Sequence, residues 1–101
     1  MKIYISGPMT GLPGLNFPAF NAAAAVLRTS RIEVVNPVEI NNGEKHWNTC
    51  MRTNIAALVM CNAIFMLEGW QRSKGATLEH YIAETLGMKV IFQQSEESKN
   101  E

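Results

Sequence analysis

Residues 62–87, NAIFMLEGWQRSKGATLEHYIAETLG, decide the fold. The stretch opens on an unbroken apolar run, Ala63 to Leu67, which reads as a buried strand. It passes through a polar, Gly-containing segment, Glu68 to Lys74, and turns amphipathic at helical spacing from Gly75 to Gly87. A strand that feeds a helix through such a loop brings backbone N–H groups to the edge of an α/β sheet, where ligands with phosphate or sugar groups bind. Glu79 breaks the helix pattern. Ile82, Ala83 and Leu86 lie three, four and seven residues beyond it, so Glu79 falls on the apolar stripe, whereas Glu84 shares the outer side with His80 and Thr77. An inward carboxylate about one turn into a helix is either tied up by hydrogen bonds or kept for chemistry.

Outward from that stretch the same alternation continues in both directions. Lys2 to Ser6 is a β-rich run stopped by Gly7-Pro8, and a loop with two further Gly and a Pro leads to Asn16. Asn16 is a candidate cap for a helix with Pro18 in its first turn and Phe17, Phe20, Ala24 and Leu27 on one face. Ile32 to Val35 makes a second strand closed by Asn36-Pro37, and Val38 to Trp47 reads as a long polar loop of the kind that carries function. Asn48 opens a helix reaching to about Cys61, with Met51, Ile55, Leu58 and Val59 inward; Lys89 to Phe92 is the last strand.

The order β-α-β-α-β-α-β with near-continuous apolar strands predicts a parallel sheet covered on both faces. Right-handed crossovers with one reversal give a four-stranded sheet of order 2-1-3-4, a small flavodoxin- or Rossmann-like three-layer sandwich over residues 1–92. Residues 93–101, QQSEESKNE, read as a polar flexible tail. In that topology the Gly7-Pro8-Met9-Thr10-Gly11 loop and the loop before Glu79 flank one crevice.

Composition narrows the partner. With 47% hydrophobic residues, 18% charged residues and a net charge of zero spread singly, the chain lacks the footprint of a nucleic-acid binder or a membrane-surface helix. A small molecule is expected instead. No apolar run is long enough to span a bilayer and MKIYISG enters a strand directly, so a cytoplasmic protein is expected. Cys50 and Cys61 read as reduced structural thiols; His46 and His80 have no partner at metal-ligand spacing, so neither a metal nor another cofactor is expected.

The pieces IYISGPMTG, MRTNIAALVMCNAIFMLEGW, S-K-G-A-T-L-E-H and A-x-x-L-G-M, in this order over about residues 2–92, resemble the small phage and bacterial proteins of the DUF4406 family, within the nucleoside 2-deoxyribosyltransferase-like superfamily. The resemblance implies that Glu79 is a nucleophile that attacks C1′ of a deoxyribosyl group, a role the chemistry of oxocarbenium-like transition states suits. It implies a proton-donating Asp at the position of Asn54 and a further Asp at that of Asn62. Both are amides here, able to hydrogen-bond a nucleobase but not to protonate it. Tyr4 matches a Tyr lining the site. Ser73 matches a position that is Asp in the nucleoside transferases and Ser in the nucleotide N-glycosidases, which favours a nucleotide whose phosphate meets Ser73 and Gly75 at a helix start. The superfamily also implies a homo-oligomer, dimer or tetramer, with shared sites.

Each of these residues has a plainer use. Tyr4 suits core packing, Gly7 and Gly11 suit turns, and Asn54 borders the apolar stripe. Trp47 and Trp70 either stack a nucleobase or pack beneath a loop. Gly7, Pro8, Met9, Thr10, Asn62, Trp70, Ser73 and Gly75 with Tyr4 are the expected substrate-binding set, and Glu79 and Asn54 the expected catalytic pair. Three classes follow: an N-glycosidase or 2-deoxyribosyltransferase, a nucleotide-binding sensor or sponge without turnover, and an interaction module that keeps only the fold.

Overall fold

The computed structural model describes residues 1–94. Four strands, β1 (Lys2–Ser6), β2 (Glu33–Val35), β3 (Ala63–Met66) and β4 (Lys89–Phe92), form one all-parallel sheet of order β2-β1-β3-β4, as the alternation predicts. Tyr4 stands opposite Val35 on one side and Ile64 on the other, which fixes the register across the centre of the sheet.

Because successive strand residues point to opposite faces, β1 divides its side chains between two cores. Ile5 packs with Phe20, Ala23 and Ala24 of α1 (Phe17–Thr29) and with Val34 and Leu67. Tyr4 faces the other way, with Ile64 and Met66, against Leu58 of α3 (Trp47–Leu58) and Ala76 and Ala83 of α4 (Lys74–Thr85). The helix between β1 and β2 thus covers one face, and α3 and α4, on the connections from β2 to β3 and from β3 to β4, cover the other, as right-handed crossovers with one reversal require.

Several local expectations are corrected. Part of the expected loop Val38–Trp47 is a short helix, α2 (Pro37–Asn41). Asn36-Pro37 ends β2, but the Asn36 side chain also accepts a hydrogen bond from the Val38 N–H at 3.1 Å, and Pro37 in the first turn has the φ a helix needs. Asn16 does not cap α1. The turn before it leaves Leu15 and Asn16 left-handed (φ 53° and 60°), so the Asn16 amide points back and donates to the Pro8 carbonyl at 2.9 Å. Val59 and Leu86, expected inward, are exposed because α3 and α4 end at Leu58 and Thr85 and leave each of them on a cap.

At the far end, the Gln93 N–H donates to the Met66 carbonyl and its side-chain oxygen accepts from the Glu68 N–H, so the chain stays anchored one residue past β4. The rest of the expected tail, 95–101, lies outside the described residues. Among the described residues no helix is long and apolar enough to cross a membrane, and no group of three His, Cys, Asp or Glu could hold a metal.

Candidate functional site

Glu79 is 4% exposed and ends at the sheet. Ser73 caps α4, its Oγ accepting from the Ala76 N–H at 3.1 Å, and the helix started there carries Glu79 round to its inner face. Tyr4 and Ser6 are two apart on β1 and therefore share a face. The Tyr4 hydroxyl donates to Glu79 Oε2 and the Ser6 hydroxyl to Oε1, both at 2.6 Å. Each carboxylate oxygen is thus held by one short hydrogen bond to the C-terminal half of the same strand, which fixes the plane of the group.

The electrostatics run in two directions. Burial pushes the Glu79 carboxyl up, and the hydrogen bonds from Ser6 and Tyr4, with the polar Asn54 amide as a lesser influence, hold it down; the balance lies at about 7. Burial, then the neighbouring Glu79 charge, raises the Tyr4 phenol well above its ordinary value, so Tyr4 keeps its proton and acts as a donor. A carboxyl poised between its two protonation states near neutral pH, with two fixed donors behind it, is suited to accepting a proton or to attacking an electrophilic carbon.

A cavity of about 450 Å³ opens above it. Tyr4, Asn54 and Glu79 reach it, and Gly7, Met9 and Thr10 bring in the loop after β1. Ser73 and Gly75 bring in the start of α4. The volume fits a nucleoside-sized molecule, and the walls are largely apolar, with Leu15, Phe17, Trp47 and Met51 among them. Gly75 allows α4 to start close to α3: a Cβ there would lie 3.0 Å from Met51 Sδ and 3.8 Å from the Trp47 indole nitrogen. Of the two tryptophans, Trp47 lines the cavity, with the Lys74 ammonium 4.4 Å from its ring centre.

Three expected members stand apart. Asn62 precedes β3, and in a parallel sheet the residue before a strand lies at the edge opposite the loops that follow strands. Its Oδ1 accepts from the Lys2 N–H at 2.9 Å there, far along the sheet from Glu79. Pro8 is buried beside Gly69 and its carbonyl is taken by Asn16. Trp70 packs against His80 (ring centres 4.4 Å apart) and Phe92 (6.0 Å), bordering a separate hollow of about 530 Å³ that holds no buried titratable group.

Ser6 is the partner that sequence reading missed. Its signal was available, since a polar residue at the C-terminal end of a buried strand, in phase with Tyr4, must point at whatever Tyr4 points at. Asn41 was missed with α2, and it also lines the cavity. Its amide donates to the Pro37 carbonyl at 2.8 Å and to Asn54 Oδ1 at 2.9 Å. Glu44 and Lys45, from the loop after α2, complete the rim.

The family model described as "Domain of unknown function (DUF4406)" matches residues 1–92, a span that contains the whole sheet, Glu79 and its partners. No curated protein matches the chain.

Proposed function

The chain belongs to the DUF4406 family, and from that premise together with the buried carboxyl on the floor of its cavity we propose that it is a cytoplasmic enzyme of the N-glycosidic bond, acting on a nucleoside or nucleotide through Glu79. The observation that carries the reading is the Tyr4–Glu79–Ser6 arrangement: one carboxylate, both oxygens fixed, beneath a largely apolar space of nucleoside size. In the ionised form Glu79 attacks C1′ as the electron pair of the C1′–N bond leaves with the nucleobase. Water then releases the sugar, or an acceptor nucleobase takes it. The Tyr4 and Ser6 hydroxyls hold the attacking oxygens in place, and the apolar walls exclude bulk water from the intermediate.

Two features bear on the substrate. Trp47 and Phe17 offer flat apolar walls for a nucleobase. Lys45, which shares the rim with Glu44, Lys74 over Trp47 and the start of α4 at Ser73 and Gly75 are the groups that would meet a 5′-monophosphate, so the nucleotide is the preferred substrate.

A second reading rests on position 54. An amide cannot protonate the leaving nucleobase, and general acids contribute about 100- to 10,000-fold. In that reading the chain keeps the pocket as a nucleotide-binding protein that turns over slowly. Chromatography of free nucleobase from a panel of deoxynucleosides and their 5′-monophosphates tests both, with wild type, Glu79→Gln and Asn54→Asp in parallel. The enzyme reading expects release by wild type that disappears in Glu79→Gln. The binding reading expects little release by wild type, a gain in Asn54→Asp, and a nucleotide retained by the purified protein. Equal release by wild type and Glu79→Gln would overturn the role given to Glu79.

A further inference from the structure

We propose that Leu15 is a ligand-covering residue: a strained turn holds it at the wall of the cavity, where its side chain is buried by the molecule that enters.

The strain is local. Among the described residues four other than glycine have a left-handed backbone, Leu15 (φ 53°), Asn16 (φ 60°), Arg31 (φ 61°) and Asn42 (φ 47°). Arg31 and Asn42 stand just past the ends of α1 and α2, where helices commonly finish in this conformation. Asn16 is of a type whose short polar side chain makes the conformation tolerable, and its amide is used, donating to the Pro8 carbonyl at 2.9 Å. Leu15 has neither reason. It lies between Gly14 (φ 58°) and Asn16 in an unbroken left-handed run, which a bulky side chain disfavours. Hydrogen bonds pin it there nonetheless, from the Leu15 N–H to the Leu12 carbonyl at 2.9 Å and from the Leu12 N–H to the Met9 carbonyl at 3.2 Å.

Packing within the fold does not offset this strain. Leu15 belongs to neither apolar core and is 50% exposed. It lines the cavity together with Phe17 and Trp47, which are also exposed. Leu15 and Phe17 come from the entry to α1 and Trp47 from the start of α3, so a flat apolar molecule in the cavity meets side chains brought by the helices of both layers. Strained residues persist where their surroundings over-determine them, and they gather at ligand clamps. Removing the open half of Leu15 from water is the gain that the fold alone does not provide and a bound molecule does.

The test compares wild type with Leu15→Asn, Leu15→Gly and Leu15→Met. Binding of 2′-deoxynucleoside 5′-monophosphates is followed by the methyl resonances of Met9 and Met51, which both line the cavity, and denaturation midpoints are measured beside it. Asn and Gly tolerate the left-handed turn, so their midpoints are expected to be no lower than that of wild type. Their Kd is expected to rise about tenfold, the worth of the half of a leucine still open to water. Leu15→Met restores an apolar cover and is expected to bind as wild type does. An unchanged Kd in Leu15→Asn would overturn the proposal, as would lowered midpoints in both Leu15→Asn and Leu15→Gly, which would make Leu15 a support of the fold.

The identity of the ligand rests on the N-glycosidic reading, but the role of Leu15 does not. If wild type binds none of the monophosphates, the same resonances are followed with indole as a neutral flat probe. Indole binding that weakens in Leu15→Asn keeps the cover and sinks the nucleotide reading, whereas nucleotide binding indifferent to Leu15→Asn does the reverse. A wild type that takes neither probe overturns the proposal.

Discussion

A carboxyl that is 4% exposed and titrates at about 7 makes the stability of the fold depend on pH. The ordinary value for Glu is 4.5, so the folded state binds the Glu79 proton more tightly than the unfolded state does. The stability from that proton is fully present below about pH 4.5 and is lost as pH rises through about 7, a difference of roughly 3 kcal/mol from the two values. Glu79→Gln has no charge to bury. Denaturant unfolding at pH 5 and pH 8 is therefore expected to show wild type losing about 2–3 kcal/mol more than the variant over that interval; parallel loss in both proteins would contradict the burial of an ionisable Glu79. Glu79 was legible because a charge on an apolar stripe stands out. Ser6 and Asn41 are small and polar, and their identity as partners depends on which strand face and which helix end they occupy.

At the scale of elements, the four strands, α1, α3 and α4 announced themselves by composition and period, and only their ends moved, by three residues at most, at the C-terminus of α3. What stayed hidden was α2, because Asn36-Pro37 reads equally as a strand stop and as a cap with its first-turn proline. Asn62 was placed with the site by the family resemblance and Trp70 by its loop, and they were separated from it by the direction of β3 and by the packing of Trp70 on β4. Gly7 shows how closely the elements meet at the site. A Cβ at that position would lie 2.7 Å from Leu67 Cβ and 2.9 Å from Leu67 Cδ1, and Leu67 is fully buried between β3 and α1. Gly7→Ala is expected to destabilise by about 1–3 kcal/mol by forcing the ends of β1 and β3 apart, read as a lowered denaturation midpoint. An unchanged midpoint would mean that the loop after β1 is slack.

On the whole molecule the apolar surface is uneven. The α3–α4 layer exposes Val59 and Met60 just past α3, Leu78 and Tyr81 on α4, and Leu86 at its end, with Met60 73% and Tyr81 67% open to solvent. A domain of 101 residues that shows this much on one layer is expected to cover it with a second copy. Light scattering during gel filtration should give at least twice 11.2 kDa, and Tyr81→Glu should shift the population toward monomer; an 11.2 kDa species for the wild type would refute this. The same scale shows a use for the chain's two indoles. Trp47 stands in the cavity wall beneath an ammonium, and Trp70 sits apart among His80 and Phe92. A molecule that enters the cavity changes the field over the first indole and leaves the second as an internal reference. The difference between the emission of wild type and Trp47→Phe isolates the responding chromophore, so the protein carries its own optical probe, and compounds can be screened against it without a label or a known reaction.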